Sequence, residues 1–183
     1  QSNWIAPAGP DIEAFEKEVC AFTGGQNAVA LSSGTAALHL ALIVSGVKAG
    51  DDVYCSSFTF AGSAFPIVHL GANPVFIDSE DASWNMDPNL LKEAVEYSIK
   101  NNRKPAAVIV VHLYGQSANV KSIKEICDRY GIMLIEDAAE SLGASCGDLY
   151  TGSIGDFGIY SFNGNKIITT SGGGMLVGKN KSL

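Results

Sequence analysis

Lys166 lies in the stretch 160–175, after the aromatic residues Tyr160 and Phe162 and before the glycines 172–174, in a chain with only 12 Lys and Arg. A lysine amine that small apolar and amide neighbours strip of water loses part of its preference for the charged form, and the neutral amine attacks carbonyl carbons. Schiff-base chemistry is what such a residue can offer. A loop lysine in water is the ordinary alternative, and three other segments weigh against it.

Residues 28–31 form an apolar run that enters a Ser-Ser-Gly-Thr turn at 32–35 and then a helical pattern with apolar Leu38, Ala41 and Leu42. A helix that starts at this turn presents unpaired backbone N–H groups and the positive end of its dipole, which favour an anion such as phosphate. Ser33 or Thr35 acting only as a helix cap is the competing reading. The second segment, 131–135, runs apolar into Glu136 and Asp137, so Asp137 falls at the carboxyl end of a buried strand, where open α/β sheets build their sites. A carboxylate there needs a partner, and a protonated pyridine nitrogen would serve. Capping a following helix is the alternative for Asp137 and the preferred role for Glu136. In the third segment, 54–63, a strand after the turn 48–52 ends in aromatic and hydroxyl residues. Phe58 or Phe60 could stack on a flat ring, although core packing is the commoner fate of a phenylalanine.

The elements that must position these groups alternate. Strand patterns at 28–31, 53–56, 74–77, 107–112, 132–135, 157–162 and 174–178 are separated by helical patterns at 11–22, 35–47, 60–70, 87–100 and 120–130. The first helix is expected to be capped near Asp11. Repeated βαβ units with short connections and right-handed crossovers predict an α/β fold, a mostly parallel sheet covered on both faces. Residues 147–153 read as a hairpin-like excursion.

The ordered set of Trp4 with Gly9 and Pro10, then 33–38, 57–60, 71–78, 112–116, 136–141 and 161–166, resembles the DegT/StrS-type sugar aminotransferases, pyridoxal-phosphate enzymes of aminotransferase fold type I. The resemblance implies a three-layer αβα architecture in which residues 1–183 form a single PLP-binding large domain, with a C-terminal small domain absent from the chain. It implies that Lys166 forms the internal aldimine with pyridoxal 5'-phosphate, that Asp137 pairs with the pyridine nitrogen, and that Thr35, Ala36 and Ser161 hold the phosphate. Ser33, Gly34 and Glu140 belong to the same cofactor-binding set. Phe60 stacks on the ring and is preferred to Phe58 because it directly follows Thr59.

Many members carry Gln or His where this chain has Glu140, and Gly-Glu where it has Ser171 and Gly172; both variants resemble a subset that aminates C4 of nucleotide sugars. Lys166 itself separates the chain from a dehydrating branch in which histidine replaces lysine. The implied function is transfer of an amino group, from glutamate, to a keto nucleotide sugar, at C4 of a 4-keto-6-deoxy sugar, in bacterial glycan or polysaccharide precursor synthesis. The alternatives are another fold type I enzyme such as a β-eliminating lyase, or a cofactor-binding fragment without turnover. The resemblance also implies a homodimer with shared sites, the segments 33–36 and Phe60 near its interface.

At 183 residues, 46% hydrophobic and 17% charged, the chain can bury one sizeable core, so one domain is expected. A net charge of -7 disfavours nucleic acid as a partner, because phosphate backbones call for basic patches. Cys20, Cys55, Cys127 and Cys146 show no metal-like spacing and read as buried thiols of a reducing cytosol. The absence of a long apolar run or a signal-type start points to a cytoplasmic protein without membrane insertion. His112 is expected to be a buried histidine satisfied by backbone, and His39 and His69 to be structural. Asp78, Asp81 and Asp87 fit turns and caps better than a metal site, with Asp87 heading a helix. No Lys-Ser or Lys-Thr follows the glycines 172–174, so a P-loop is rejected in favour of close backbone packing. Both ends read as truncated, and the apolar stretch 4–7 reads as surface that needs a cover.

Overall fold

The computed structural model describes residues 9–24 and 27–179; the stretch 4–7 and the final residues lie outside them. Seven strands form one sheet in the order β1 (Asn27–Leu31), β9 (Gly174–Gly178), β8 (Phe157–Ser161), β5 (Met133–Asp137), β4 (Ala107–Val111), β2 (Asp52–Ser56) and β3 (Asn73–Ile77). The five strands β8, β5, β4, β2 and β3 run parallel, and β9 is antiparallel to both β8 and β1. Register places the site: Val111 lies opposite Asp137 and Asp137 opposite Ile159, so these strand ends rise together at one edge of the sheet.

The sheet is apolar on both faces, as parallel sheets covered by helices must be. On one face Val53, Cys55, Ile109, Ile135 and Ile159 pack against Leu38, Ala41 and Leu42 of α2 (Gly34–Val44) and Ile67 of α3 (Phe65–His69). The alternating residues Tyr54, Val108, Val110 and Leu134 meet Leu91 and Val95 of α4 (Pro88–Lys100) and Ile123 and Cys127 of α5 (Val120–Tyr130). On that same side α1 (Pro10–Phe22) places Phe15 and Val19 against Tyr160, Phe162, Met175 and Val177. The result is three layers, helix, sheet and helix. Burial pushes the thiols of Cys55 and Cys127 up to about 12, so both are packing groups rather than nucleophiles.

Two elements differ from the sequence pattern. The expected helix at 60–70 is a 3-10 turn, Ala61–Ser63, followed by the short α3 with Pro66 in its first turn. Pro66 lacks the N–H that a continuous helix would direct at the Gly62 carbonyl, so the helix does not run unbroken from 60 to 70 and α3 restarts with the proline in its first turn. Helix α1 begins with Gly9 as its cap and Pro10 in its first turn, and no side chain caps it, so Asp11 belongs to the first turn instead. The hairpin-like excursion expected at 147–153 starts two residues earlier: β6 (Ser145–Cys146) pairs with β7 (Leu149–Tyr150). Phe22 stacks on Tyr150 with centroids 4.8 Å apart and ties that hairpin to α1. Asp87 heads α4 as expected, accepting the Asn89 N–H at 2.7 Å.

Candidate active site

A cavity of about 410 Å³ opens at the carboxyl ends of β4, β5 and β8, and its walls include Ser33, Gly34, Thr35, Phe60, Asp137 and Lys166. It lies where an open parallel sheet offers a crevice above its strand ends. Each group reaches it by a different local device.

Lys166 is carried on the loop 163–173, which leaves β8 and returns to β9. The loop is closed at its base by Phe162, whose N–H bonds to the Gly173 carbonyl at 2.9 Å and whose carbonyl accepts the Thr170 N–H at 3.0 Å. The Lys166 side chain turns inward, and Nζ donates to Glu140 Oε1 at 2.9 Å. Glu140 thus stands beside the amine.

Asp137 is the last residue of β5 and only 7% exposed. Its Oδ2 accepts the Ser63 hydroxyl at 2.6 Å and its Oδ1 the Ala139 N–H at 3.1 Å. With the Ser63 hydrogen committed to Asp137, Thr59 is left to donate to Ser63 across 2.7 Å, so a chain of hydroxyls backs the carboxylate. Burial raises the Asp137 pKa above the usual carboxylate range, against the opposing pull of the Ser63 and Ala139 hydrogen bonds and the charge of Lys166. A buried carboxylate with neutral partners and no cation bonded to it is a place where a positively charged ligand atom gains most.

Ser33 caps α2, its Oγ accepting the Ala36 N–H at 3.0 Å. Ala37 N–H bonds to the Ser33 carbonyl at 3.1 Å, so α2 starts at this turn and directs the positive end of its dipole at the cavity, where an anion is favoured. Ala36, expected among the phosphate-holding residues, has its amide engaged by this cap and does not line the cavity. The glycines pack the turn tightly. A Cβ on Gly174 would lie 2.3 Å from the Ser33 carbonyl atoms, and one on Gly34 would lie 3.0 Å from Ser161 Cβ. Close backbone packing, as expected for 172–174, is therefore what Gly174 provides. Ser161 and Thr35 share the same wall.

Phe60 is 80% exposed, and its ring lies against Gly62, where a Cβ would come within 3.0 Å of it. Phe58 also lines the cavity, so both candidate aromatics reach the site.

The capping role expected for Glu136 is wrong. Glu136 is fully buried and points away from its own chain end, accepting N–H bonds from Gly152 at 2.9 Å, from Ile154 at 2.6 Å and from Gly155. Its Oε2 also meets His112 Nε2 at 2.8 Å. His112 Nδ1 accepts the Ala118 N–H at 3.1 Å, which leaves the ring hydrogen on Nε2 to donate to Glu136. The backbone partner expected for His112 is present, but its second partner is the glutamate. Glu136 thereby straps the loop 152–155 under the sheet next to Asp137. Sequence alone did not single out Ser63 as a partner of Asp137; its only signal is membership of the hydroxyl cluster after β2.

No group of three or more His, Cys, Asp or Glu among the described residues could hold a metal ion. No helix among the described residues is long and apolar enough to cross a membrane. A parallel-sheet domain that gathers a lysine, a buried strand-end aspartate and the start of a helix into one cavity is built as aminotransferases that use pyridoxal phosphate are built. The residues suit that group: an amine for its aldehyde, a carboxylate lacking a cation for its ring nitrogen, a helix start with neighbouring hydroxyls for its phosphate and an aromatic face for its ring.

The chain belongs to the DegT/DnrJ/EryC1/StrS aminotransferase family, which it matches over residues 1–183. Enzymes of this family depend on pyridoxal phosphate. It is 54% identical over 182 residues to EpsN of Bacillus subtilis (strain 168), covering all of this chain and 47% of that protein. It is 39% identical over 176 residues to the GDP-perosamine synthase of Vibrio cholerae, covering 96% of this chain and 46% of the synthase. The crystal structure of a DegT DnrJ EryC1 StrS aminotransferase from Brucella abortus superimposes with a TM-score of 0.91 at 35% identity, over 95% of this chain and 47% of that one. The chain spans about half the length of the curated relatives it matches.

Proposed function

We propose that this chain is the cofactor-binding large domain of an enzyme that transfers an amino group from glutamate to C4 of a 4-keto-6-deoxy sugar carried on a nucleotide. The observation that carries the reading is the convergence of Lys166, Asp137 and the start of α2 on one cavity. Membership of a sugar aminotransferase family supports the sugar, and the name of the Vibrio cholerae relative supports the nucleotide. When bound, pyridoxal phosphate supplies an aldehyde for amines and an electron-accepting ring.

Asp137 would hold the ring nitrogen with its proton, and Ser63 and Ala139 fix the carboxylate for that contact. Gly34, Thr35 and Ser161 would hold the phosphate, with Ser33 keeping the helix start rigid. Phe60 would cover one face of the ring and exclude water from it. Lys166 Nζ would be the attachment point, and when free it would be placed to accept a proton from the carbon that bears the amine and to deliver it to the cofactor carbon that keeps the nitrogen, as general base and then acid. Glu140, 2.9 Å from that nitrogen, would hold the side chain in place whenever the amine is released from the cofactor. The same reading makes the protein a twofold homodimer, with 33–36 and Phe60 near the subunit boundary.

The test uses full-length protein loaded with pyridoxal phosphate. Glutamate should bleach the cofactor's visible absorbance, and a 4-keto-6-deoxy nucleotide sugar should restore it with an amino sugar as product. Ammonia released in place of an amino sugar would establish a lyase.

A further inference from the structure

Three aromatic side chains stand at the mouth of the cavity. Phe58 meets Trp84 with ring centroids 6.1 Å apart and Tyr114 with centroids 6.4 Å apart, both edge to face. Trp84 is 62% and Tyr114 78% exposed, so each presents most of its ring to solvent. Both also have left-handed backbone, with φ of 62° at Trp84 and 50° at Tyr114, which is unusual for a bulky residue. Glycine would occupy such positions without strain.

The strained conformations are held by the surrounding structure. Trp84 closes the loop 80–85, its N–H bonding to the Glu80 carbonyl at 3.1 Å. Asn85, almost fully buried, accepts the Leu113 N–H at 2.9 Å and donates to the Gln116 carbonyl at 3.2 Å. This one side chain rivets the Trp84 loop to the turn that carries Tyr114, and the two rings are fixed on either contact of Phe58. Phe58 and Tyr114 line the cavity, and Trp84 lies one ring further out.

Charge decides what the rim can grip. Among the described residues lining the cavity, Lys166 is the single lysine or arginine, and it is bonded to Glu140. This chain therefore offers a nucleotide little attraction through its phosphates, and its available handle is π surface. We propose that Trp84 and Tyr114 are the stacking platform for the base of the nucleotide-sugar substrate. Aromatic rings take any base by its face, which suits a planar heterocycle at the outer end of a substrate whose sugar lies deeper. The proposal rests on the nucleotide-sugar reading above and adds to it the residues that recognise the base.

The test is calorimetric titration of full-length, cofactor-loaded protein with GDP and dTDP, with pyrophosphate as a probe that lacks the base. Wild type should bind both nucleotides at least tenfold more tightly than pyrophosphate. Trp84→Gly and Tyr114→Gly, chosen because glycine removes the ring and relieves the backbone, should each weaken nucleotide binding roughly tenfold. Pyrophosphate binding, the borohydride-trappable cofactor bond and the dimer should be unchanged in both variants, and Trp84→Phe should stay within about threefold of wild type. Base-dependent binding that the variants leave intact overturns the platform and spares the nucleotide reading. A wild type that binds neither nucleotide overturns both. Variants that lose the dimer along with the nucleotide show a subunit contact, which also overturns the platform.

Discussion

At the scale of single residues, the site depends on one amine and one carboxylate placed in unequal surroundings. Lys166→Ala should abolish the borohydride-trappable bond to pyridoxal phosphate, read as the loss of the cofactor's mass from the reduced protein. No other lysine or arginine among the described residues lines the cavity, so a surviving adduct would displace Lys166 as nucleophile. Asp137 makes a prediction of the opposite sign for stability and function. Its pKa is raised mainly by burial, so between about pH 4, where an unfolded aspartate titrates, and its higher folded value, only the folded state holds the proton. Stability of the cofactor-free protein therefore falls as pH rises through that window. Asp137→Asn removes this contribution and should stabilise the cofactor-free protein at pH 7 relative to wild type, read as a higher midpoint in urea denaturation. The same variant should lose turnover by orders of magnitude, because an amide cannot hold the ring nitrogen in its charged form. An Asn variant less stable than wild type across that pH range would contradict the buried, uncompensated carboxylate.

At the scale of elements, the position of the site follows from packing that the sequence announces unevenly. The strand runs were legible because a sheet buried on both faces needs continuous apolar segments, such as 107–111 and 133–135, and the ends of those runs located Asp137. The break at 61–69 was hidden because the apolar spacing continues through Pro66, and only the N–H that proline lacks interrupts the helix. Glu136 was misread for another reason: its partners at 152–155 are backbone amides some 16 to 19 residues away, and no side-chain pattern marks them. Ser63 was missed likewise, lying 74 residues from the carboxylate it supports. Glycine gives the sharpest test of this packing. Gly174→Ala would drive a methyl into the Ser33 carbonyl and the Gly34 amide, both backbone atoms that cannot swing aside. It should cost about 3 kcal/mol or more and weaken cofactor binding through the displaced start of α2. Gly172→Ala, which meets nothing within 4 Å, should stay within about 0.5 kcal/mol of wild type. Equal unfolding midpoints for the two variants would show that the β9 end does not brace the turn.

At the scale of the whole molecule, two features point outward. The outer sides of α2 and α3 expose Ile43, Phe65 and Val68, and His69 packs beside both Phe65 and His39, with centroids 6.4 and 6.1 Å apart. An apolar patch of this kind marks a surface that meets protein. The cavity must also accommodate an anionic cofactor with Lys166 as the one lysine or arginine among its described lining, in a chain of net charge -7. Further positive charge has to come from outside these residues, and a second subunit placed over α2, α3 and Phe60 could supply it at the site itself. A twofold axis there would pair each patch with its copy and complete both sites at once. Light scattering on full-length protein should accordingly give a dimer. Phe65→Asp, which puts a charge on the patch at a residue outside the cavity lining, should shift the population to monomer and weaken pyridoxal phosphate binding in the same concentration range. Dilution of wild type should lower both together. A monomer that retains full cofactor affinity and full turnover at assay concentration would mean that each chain completes its own site, and the missing positive charge would then have to come from the remainder of the same polypeptide.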